Sequence, residues 1–180
     1  MKIVIATPLY PPDIAQPAPY SKEAARRLAQ KHHVTVIAYG HLPEKIPGVD
    51  IVSVSKRQPT LMRLFRYMFA LMRAARSADI IYAQNGASVE LPAALVSIVT
   101  QKPLVTHIAD IAASKRAKKS LLLDLIQRFA FSKAQNIITD MPLEKPEILP
   151  FEPQPIEALS AYETSWREHM VMLERILRHE

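Results

Sequence analysis

The sequence predicts an α/β fold: a single Rossmann-like, doubly wound parallel sheet of about six strands, finished by a carboxyl-terminal helix. Two observations carry that expectation. Short apolar, β-branched runs alternate with segments of helical period over residues 1–140, which is the pattern of parallel sheets. The opening stretch, MKIVIATPLYPPDIAQPAPY, leads directly into a helix. Strand, proline-stiffened loop and helix in that order place the loop at the carboxyl edge of a parallel sheet, where ligands bind.

Lys2–Ala6 reads as the first, buried strand. The next fourteen residues hold five prolines and no regular period, so they form a long, stiff loop. Ser21 is placed as the N-cap of the helix SKEAARRLAQ. His33–Tyr39 is the second strand, closed by Gly40, and Val49–Ser55 alternates as the third. Beyond Pro59, residues Leu61, Leu64, Phe65, Met68, Met72 and Ala75 follow helical spacing. Arg63, Arg66, Arg73 and Arg76 lie mostly elsewhere on that wheel. Asp79–Gln84 is the fourth strand and ends in the turn Asn85-Gly86.

Ser88 is expected to cap a helix over residues 89–101, with Pro92 tolerated in the first turn. Pro103–Ile108 is the fifth strand, residues 109–133 are mostly helical, and Gln135–Thr139 is the sixth strand. From Met141 to Pro155 five prolines and several glutamates occur without period, the mark of a surface linker. The domain plan is therefore 1–140 for the sheet, 141–158 for the linker and 159–180 for a helix. That helix carries Tyr162, Trp166, Met170, Leu173 and Leu177 and is expected to pack back on the sheet domain.

Composition bounds the function. The chain has 180 residues, 49% hydrophobic and 22% charged, as an ordinary globular domain does. It lacks cysteine, which excludes disulfides, thiolate metal sites and a cysteine nucleophile. No apolar run reaches the roughly 18 residues of a spanning helix, and a cytoplasmic location is expected. The net charge of +6 favours anionic neighbours. Only Gly40, Gly48 and Gly86 occur, against about 7% in average usage, so there is no Gly-rich phosphate loop. No Gly-x-Ser-x-Gly elbow occurs either. No cofactor is implied. His32-His33 falls at the opposite edge from the loops, without the spacing of metal ligands.

Two segments resemble a known family. TPLYPPDIAQPAPYSKEAARRLAQKHHVTVIAYG is similar to the amino-terminal part of family-4 retaining glycosyltransferases, enzymes of the GT-B fold. DIIYAQNGASVELPAALVSIVTQKPLVTHIADI is similar to their middle section, and SAYETSWREHMVMLERIL to their last helix. The resemblance covers about residues 1–140 plus the tail. It implies the acceptor-side half of an enzyme that moves a sugar from a nucleotide-sugar to an acceptor hydroxyl, with retention and without metal. The family's nucleotide-sugar domain has no counterpart here. Glu144 and Glu152 reproduce the separation of its Glu-x7-Glu element, but Pro146 and Pro150 interrupt them, and the spacing is read as coincidence. Ala15-Gln16 stands where the family has adjacent glycines.

The candidate site residues follow from those two readings. The resemblance places His107 in the cleft near the transferred sugar; a strand-end histidine satisfied by backbone is the other reading. Asp110 either accepts a bond from a sugar hydroxyl or caps the next helix. Gln84, Asn85 and Gly86 offer amides for polyol binding or simply form a turn. Asp13, Gln16 and Tyr20 belong to the same edge, for binding or for loop structure. Arg63, Arg66, Arg73, Lys115 and Lys118 make either a solvated basic face or an anionic-membrane face at the inner membrane surface. Nucleic-acid motifs are absent.

Two functions stay open at this point. One is participation in glycosyl transfer, binding a nucleotide-sugar or a sugar acceptor. The other is a non-catalytic binding or scaffold domain that associates with itself, a partner transferase or a membrane. Loss of the facing domain leaves apolar surface for a homodimer to cover.

Overall fold

The structure, a computed structural model, describes residues 1–13, 17–40, 42–109, 111–139 and 156–178. It divides into two units, Met1–Thr139 and Asp140–Glu180. Of the expected linker 141–158, residues 141–155 lie outside the described residues, as do Gln16 and Asp110, and residues 156–158 belong to the last helix instead.

The first unit is a six-stranded sheet of β1 (Lys2–Thr7), β2 (His33–Tyr39), β3 (Val49–Val54), β4 (Ile80–Gln84), β5 (Leu104–His107) and β6 (Asn136–Ile138). The spatial order is β3-β2-β1-β4-β5-β6, and every pair is parallel. The expected Rossmann-like class is therefore the observed one. Chain order reverses between β1 and β4, so the topological switch point falls there. Right-handed crossovers put the helix of the leftward connection on one face and those of the rightward connections on the other. Hence α1 (Pro17–Leu28) lies opposite α2 (Thr60–Ala75), α3 (Ala87–Thr100) and α5 (Leu121–Lys133). On that second face α3 sits in the middle, packed against both α2 and α5.

Strand side chains alternate between the two faces. Val4, Ala6, Ile37, Tyr39, Ile81, Ala83 and Leu104 join Tyr67, Leu71, Ala75 and the inner side of α3 in one buried cluster. Burying a side chain such as Leu71 or Leu104 fully contributes about 1.5–3 kcal/mol. Tyr67 stacks on Tyr39 with ring centroids 4.3 Å apart, and its hydroxyl donates to the Ile37 carbonyl at 3.0 Å.

Four local expectations are corrected. The first helix begins at Pro17, not Ser21, because proline suits a first turn whose N–H groups have no helical partner; Ser21 is buried inside the helix instead. In α2 the buried face is Tyr67, Leu71 and Ala75, while Leu61 and Phe65 stand exposed. Of the expected stripe, Ala75 is buried and Met68 and Met72 pack partly against the core, while Tyr67 and Leu71, which that stripe left out, lie at its centre. α3 starts at Ala87 after Gly86, so Ser88 is not its cap and Pro92 lies beyond the first turn. Pro92 cannot donate to the carbonyl four residues back, and that carbonyl, Ser88 O, accepts the Tyr39 hydroxyl at 2.9 Å. Lastly, the helical stretch 109–133 is broken into α4 (Ile111–Ala117) and α5 by a turn at Lys118–Ser120.

The second unit contains α6 (Ile156–Arg178). Trp166 meets Tyr162 and His169 along the helix at 6.5 and 5.3 Å between ring centroids. Trp166, Met170, Leu173 and Leu177 repeat at helical spacing.

Candidate functional site

Thr7, Gln84 and His107 are the last residues of β1, β4 and β5. Gln84 is in register with His107, and the preceding pair Ala6 and Ala83 puts Thr7 beside Gln84. The three side chains thus form a row across the switch point, on the α1 face of the carboxyl edge. The residue two before Gln84 on the same face is Tyr82. Helix α1 brings Tyr20 and Ser21 against this row, because its first turns begin where the loop after β1 ends.

The groups are tightly connected. The Thr7 and Ser21 hydroxyls each lie 2.7 Å from Gln84 Oε1, and 3.2 Å from one another. Thr7 Oγ1 also lies 2.7 Å from the Leu9 carbonyl; its one proton serves only one of these acceptors at a time. Gln84 Nε2 is buried without a hydrogen bond of normal geometry, with the Tyr82 phenol as its neighbour, so the amide donor is under-used at the centre of the row. An unmet buried donor costs about 1–3 kcal/mol.

Beside it, the Tyr82 hydroxyl is 2.6 Å from His107 Nδ1 and 3.2 Å from the Tyr20 hydroxyl. The Tyr20 ring meets the His107 ring edge-on at 5.2 Å. Burial pushes both phenols up, Tyr82 with Tyr20 alongside, so both stay neutral donors through the physiological range. In the sense Tyr20→Tyr82→His107 each phenol has an acceptor, and the His107 tautomer that fits carries its ring proton on Nε2.

Asn85 and Gly86 continue the β4 edge. The Asn85 N–H donates to the His107 carbonyl at 2.8 Å, which extends the strand pairing by one residue. Gly86 has φ +142°, a conformation side chains oppose, and it packs against Pro8 of the first loop. Just beyond it Glu90 is buried in the first turn of α3. Gln127 Nε2 approaches its carboxylate at 3.4 Å, and burial raises the carboxyl above its ordinary range.

Of the residues expected at the site, Tyr20, Gln84 and His107 are brought together, with Asn85 and Gly86 adjoining. Asp13 is turned away to Lys56, whose Nζ is 2.6 Å from its carboxylate. The expected Gln16 and Asp110 lie outside the described residues. Thr7, Ser21 and Tyr82 were missed by the sequence reading. Thr7 and Tyr82 carried a signal, a polar strand terminus and the same-face position before Gln84; Ser21 looked like a cap. Arg63 lies over the Tyr39 ring at 5.5 Å, whereas Arg66, Arg73, Lys115 and Lys118 are exposed. Among the described residues no three His, Asp or Glu side chains converge as metal ligands, and no helix is long and apolar enough to cross a membrane.

No family model and no curated protein matches the chain. Solved structures do. Alr3699/HepE from Anabaena in complex with UDP is similar at TM-score 0.51 and 20% identity, over 79% of this chain and 38% of that one. UDP-GlcNAc 2-epimerase from Methanocaldococcus jannaschii is similar at TM-score 0.51 and 13% identity, over 79% of this chain and 40% of that one. The chain spans about two fifths of the length of these structures. The likeness is one of fold, a Rossmann-like sheet of the GT-B type.

Proposed function

We propose that this chain is the acceptor-side half of a retaining, family-4-like sugar transferase that uses a nucleotide-sugar donor. The observation that carries the reading is the under-used Gln84 amide, flanked by Thr7 and His107 in a row across the β1–β4 switch point. Amide, hydroxyl and imidazole groups set at strand ends suit the hydroxyls of a sugar. Similarity of fold to a protein solved with UDP supports the nucleotide-sugar class, and the motif resemblance supports the acceptor side. In that role Gln84 holds a sugar hydroxyl, and the Tyr20–Tyr82 chain fixes the His107 ring beside it. The chain would supply orientation, with the donor held by a further domain or partner.

A second reading, a non-catalytic binding or scaffold domain, is supported by the burial of the whole row: Thr7, Gln84 and Tyr82 fully, and Tyr20 and His107 less than a tenth exposed. Titration separates the two. The purified chain is titrated with UDP-, GDP- and ADP-sugars and with simple glycosides, read by amide and side-chain NMR shifts. Saturable shifts at Gln84 and His107, abolished by His107→Ala, are expected. Absence of shifts at those residues with every sugar and nucleotide would overturn the first reading.

A further inference from the structure

A primary amide accepts hydrogen bonds only at its oxygen and donates them only from its nitrogen. Which way round it sits therefore fixes the sense of every hydroxyl that touches it. Gln84 holds such a position. It is fully buried together with Thr7, Ser21 and Tyr82, so bulk solvent has no part in the choice. At one end the Thr7 and Ser21 hydroxyls each lie 2.7 Å from Oε1. At the other end Nε2 has the Tyr82 phenol as its neighbour and directs an N–H at the phenol oxygen.

This asymmetry is passed on to β5. Tyr82 has one proton, and its oxygen already faces the Gln84 amide and the Tyr20 hydroxyl, 3.2 Å away. The proton is left for His107 Nδ1, at 2.6 Å. A neutral ring that accepts at Nδ1 carries its own proton on Nε2. With the amide turned over, every step reverses. Oε1 would accept from Tyr82, His107 would donate from Nδ1, and Nε2 would be the bare nitrogen. One amide on β4 thus selects the tautomer of a ring on β5.

Two hydroxyls select the amide. An oxygen is favoured where two O–H donors converge, and the Thr7 and Ser21 oxygens stand only 3.2 Å apart on that side. Thr7 has a competing acceptor in the Leu9 carbonyl at 2.7 Å, while the Leu9 N–H approaches its oxygen at 3.3 Å. Its single proton serves either Leu9 or Gln84. Ser21 supplies the second donor, and it can do so because α1 begins at Pro17, which carries the Ser21 hydroxyl inside the helix and against β4.

We propose that Thr7 and Ser21 are positioning residues that set the sense of the buried row and, through Gln84 and Tyr82, hold His107 in the Nε2–H tautomer. His107 then meets a ligand as a donor, which suits an oxygen acceptor of a sugar. That consequence rests on the sugar-binding reading above; the tautomer does not, and its test needs no sugar.

The experiment is NMR of the 15N-labelled full chain at a pH where imidazole is neutral. Long-range proton–nitrogen correlations give each histidine tautomer, and the signals lost in His107→Ala identify that ring. In the wild type Nδ1 is expected bare and Nε2 protonated, with Gln84 amide protons closer by NOE to the Tyr82 ring than to Thr7 and Ser21. Thr7→Val with Ser21→Ala removes both hydroxyls with little change of volume. The two ring-nitrogen signals should then exchange character, whereas Thr7→Ser should keep the wild-type pattern. Circular dichroism checks that each variant is folded; if the double variant is not, the wild-type tautomer and NOEs decide alone. An Nδ1–H ring in the wild type, or Gln84 protons nearest Thr7 and Ser21, overturns the proposal. So does an unchanged tautomer in the folded double variant. A change in Thr7→Ser as large as in the double variant overturns it too, since packing and not the hydroxyl would then be responsible. None of these outcomes bears on the sugar titration, which tests the other reading separately.

Discussion

The Tyr82 hydroxyl lies 2.6 Å from His107 Nδ1, and this contact joins β4 to β5 through side chains at the carboxyl edge of the sheet. Tyr82 is fully buried, so its phenol has no water to turn to. Replacing it by Phe removes the contacts to both His107 Nδ1 and the Tyr20 hydroxyl.

Tyr82→Phe is therefore expected to cost about 1–3 kcal/mol, read from urea denaturation. The same contact predicts the tautomer. In the wild type, 15N shifts should show the His107 proton on Nε2, and in Tyr82→Phe that preference should relax. An Nδ1–H tautomer in the wild type would reverse the direction of the chain of donors.

The Tyr39–Ser88 bond makes a prediction about helix α3. Because Pro92 leaves the Ser88 carbonyl without its helical donor, Tyr39→Phe should cost about 1–2 kcal/mol. Pro92→Ala restores the donor, and the cost of Tyr39→Phe should shrink in that background. A double-mutant cycle measures the difference; additive effects would mean that the Tyr39 hydroxyl does not replace the lost bond.

Glu90 predicts a pH dependence. Its folded carboxyl titrates above the ordinary carboxylate value because it is buried. Between those two values the folded chain holds a proton that the unfolded chain has released, so stability falls as pH rises through that window. Above it the ionised carboxylate remains a constant penalty. Glu90→Gln keeps an oxygen for Gln127 and removes the ionisation. The variant should gain on the wild type as pH rises through and above the ordinary carboxylate range, in thermal midpoints measured side by side. A constant difference across that range would count against the buried ionisation.

We further propose that residues 159–180 pack on the sheet domain, and the single tryptophan of the chain gives a clean probe. The emission of Trp166 is expected to be blue-shifted and to move red in the same transition that unfolds the sheet. Ending the chain at Thr139 should lower the thermal midpoint, since each large apolar side chain uncovered costs about 1.5–3 kcal/mol. A red-shifted Trp166 in the native chain, with an unchanged midpoint on truncation, would set that packing aside.

The number and places of the strands were legible because each strand of this sheet is short, apolar and bounded by loop residues. Lys2–Thr7 and His33–Tyr39 could hardly be anything else. Helix phase was less legible. The segment Leu61–Ala75 carries apolar residues around most of its circumference, and a periodic reading cannot tell which stripe a sheet will take.

The site divides in the same way. Sequence placed Gln84 and His107 at strand ends, since those positions follow from strand boundaries alone. It could not place Ser21 or Tyr82 with them, because their meeting depends on the register of β4 with β5 and on where α1 begins. The sequence by itself thus determined the class of fold and the edge at which chemistry gathers, through local periodicity and turn residues. The tertiary structure decided which donors share Gln84, which phenol holds His107 and which apolar stripe of α2 faces outward. Those are contacts between residues far apart in the chain, and only packing against the sheet settles them.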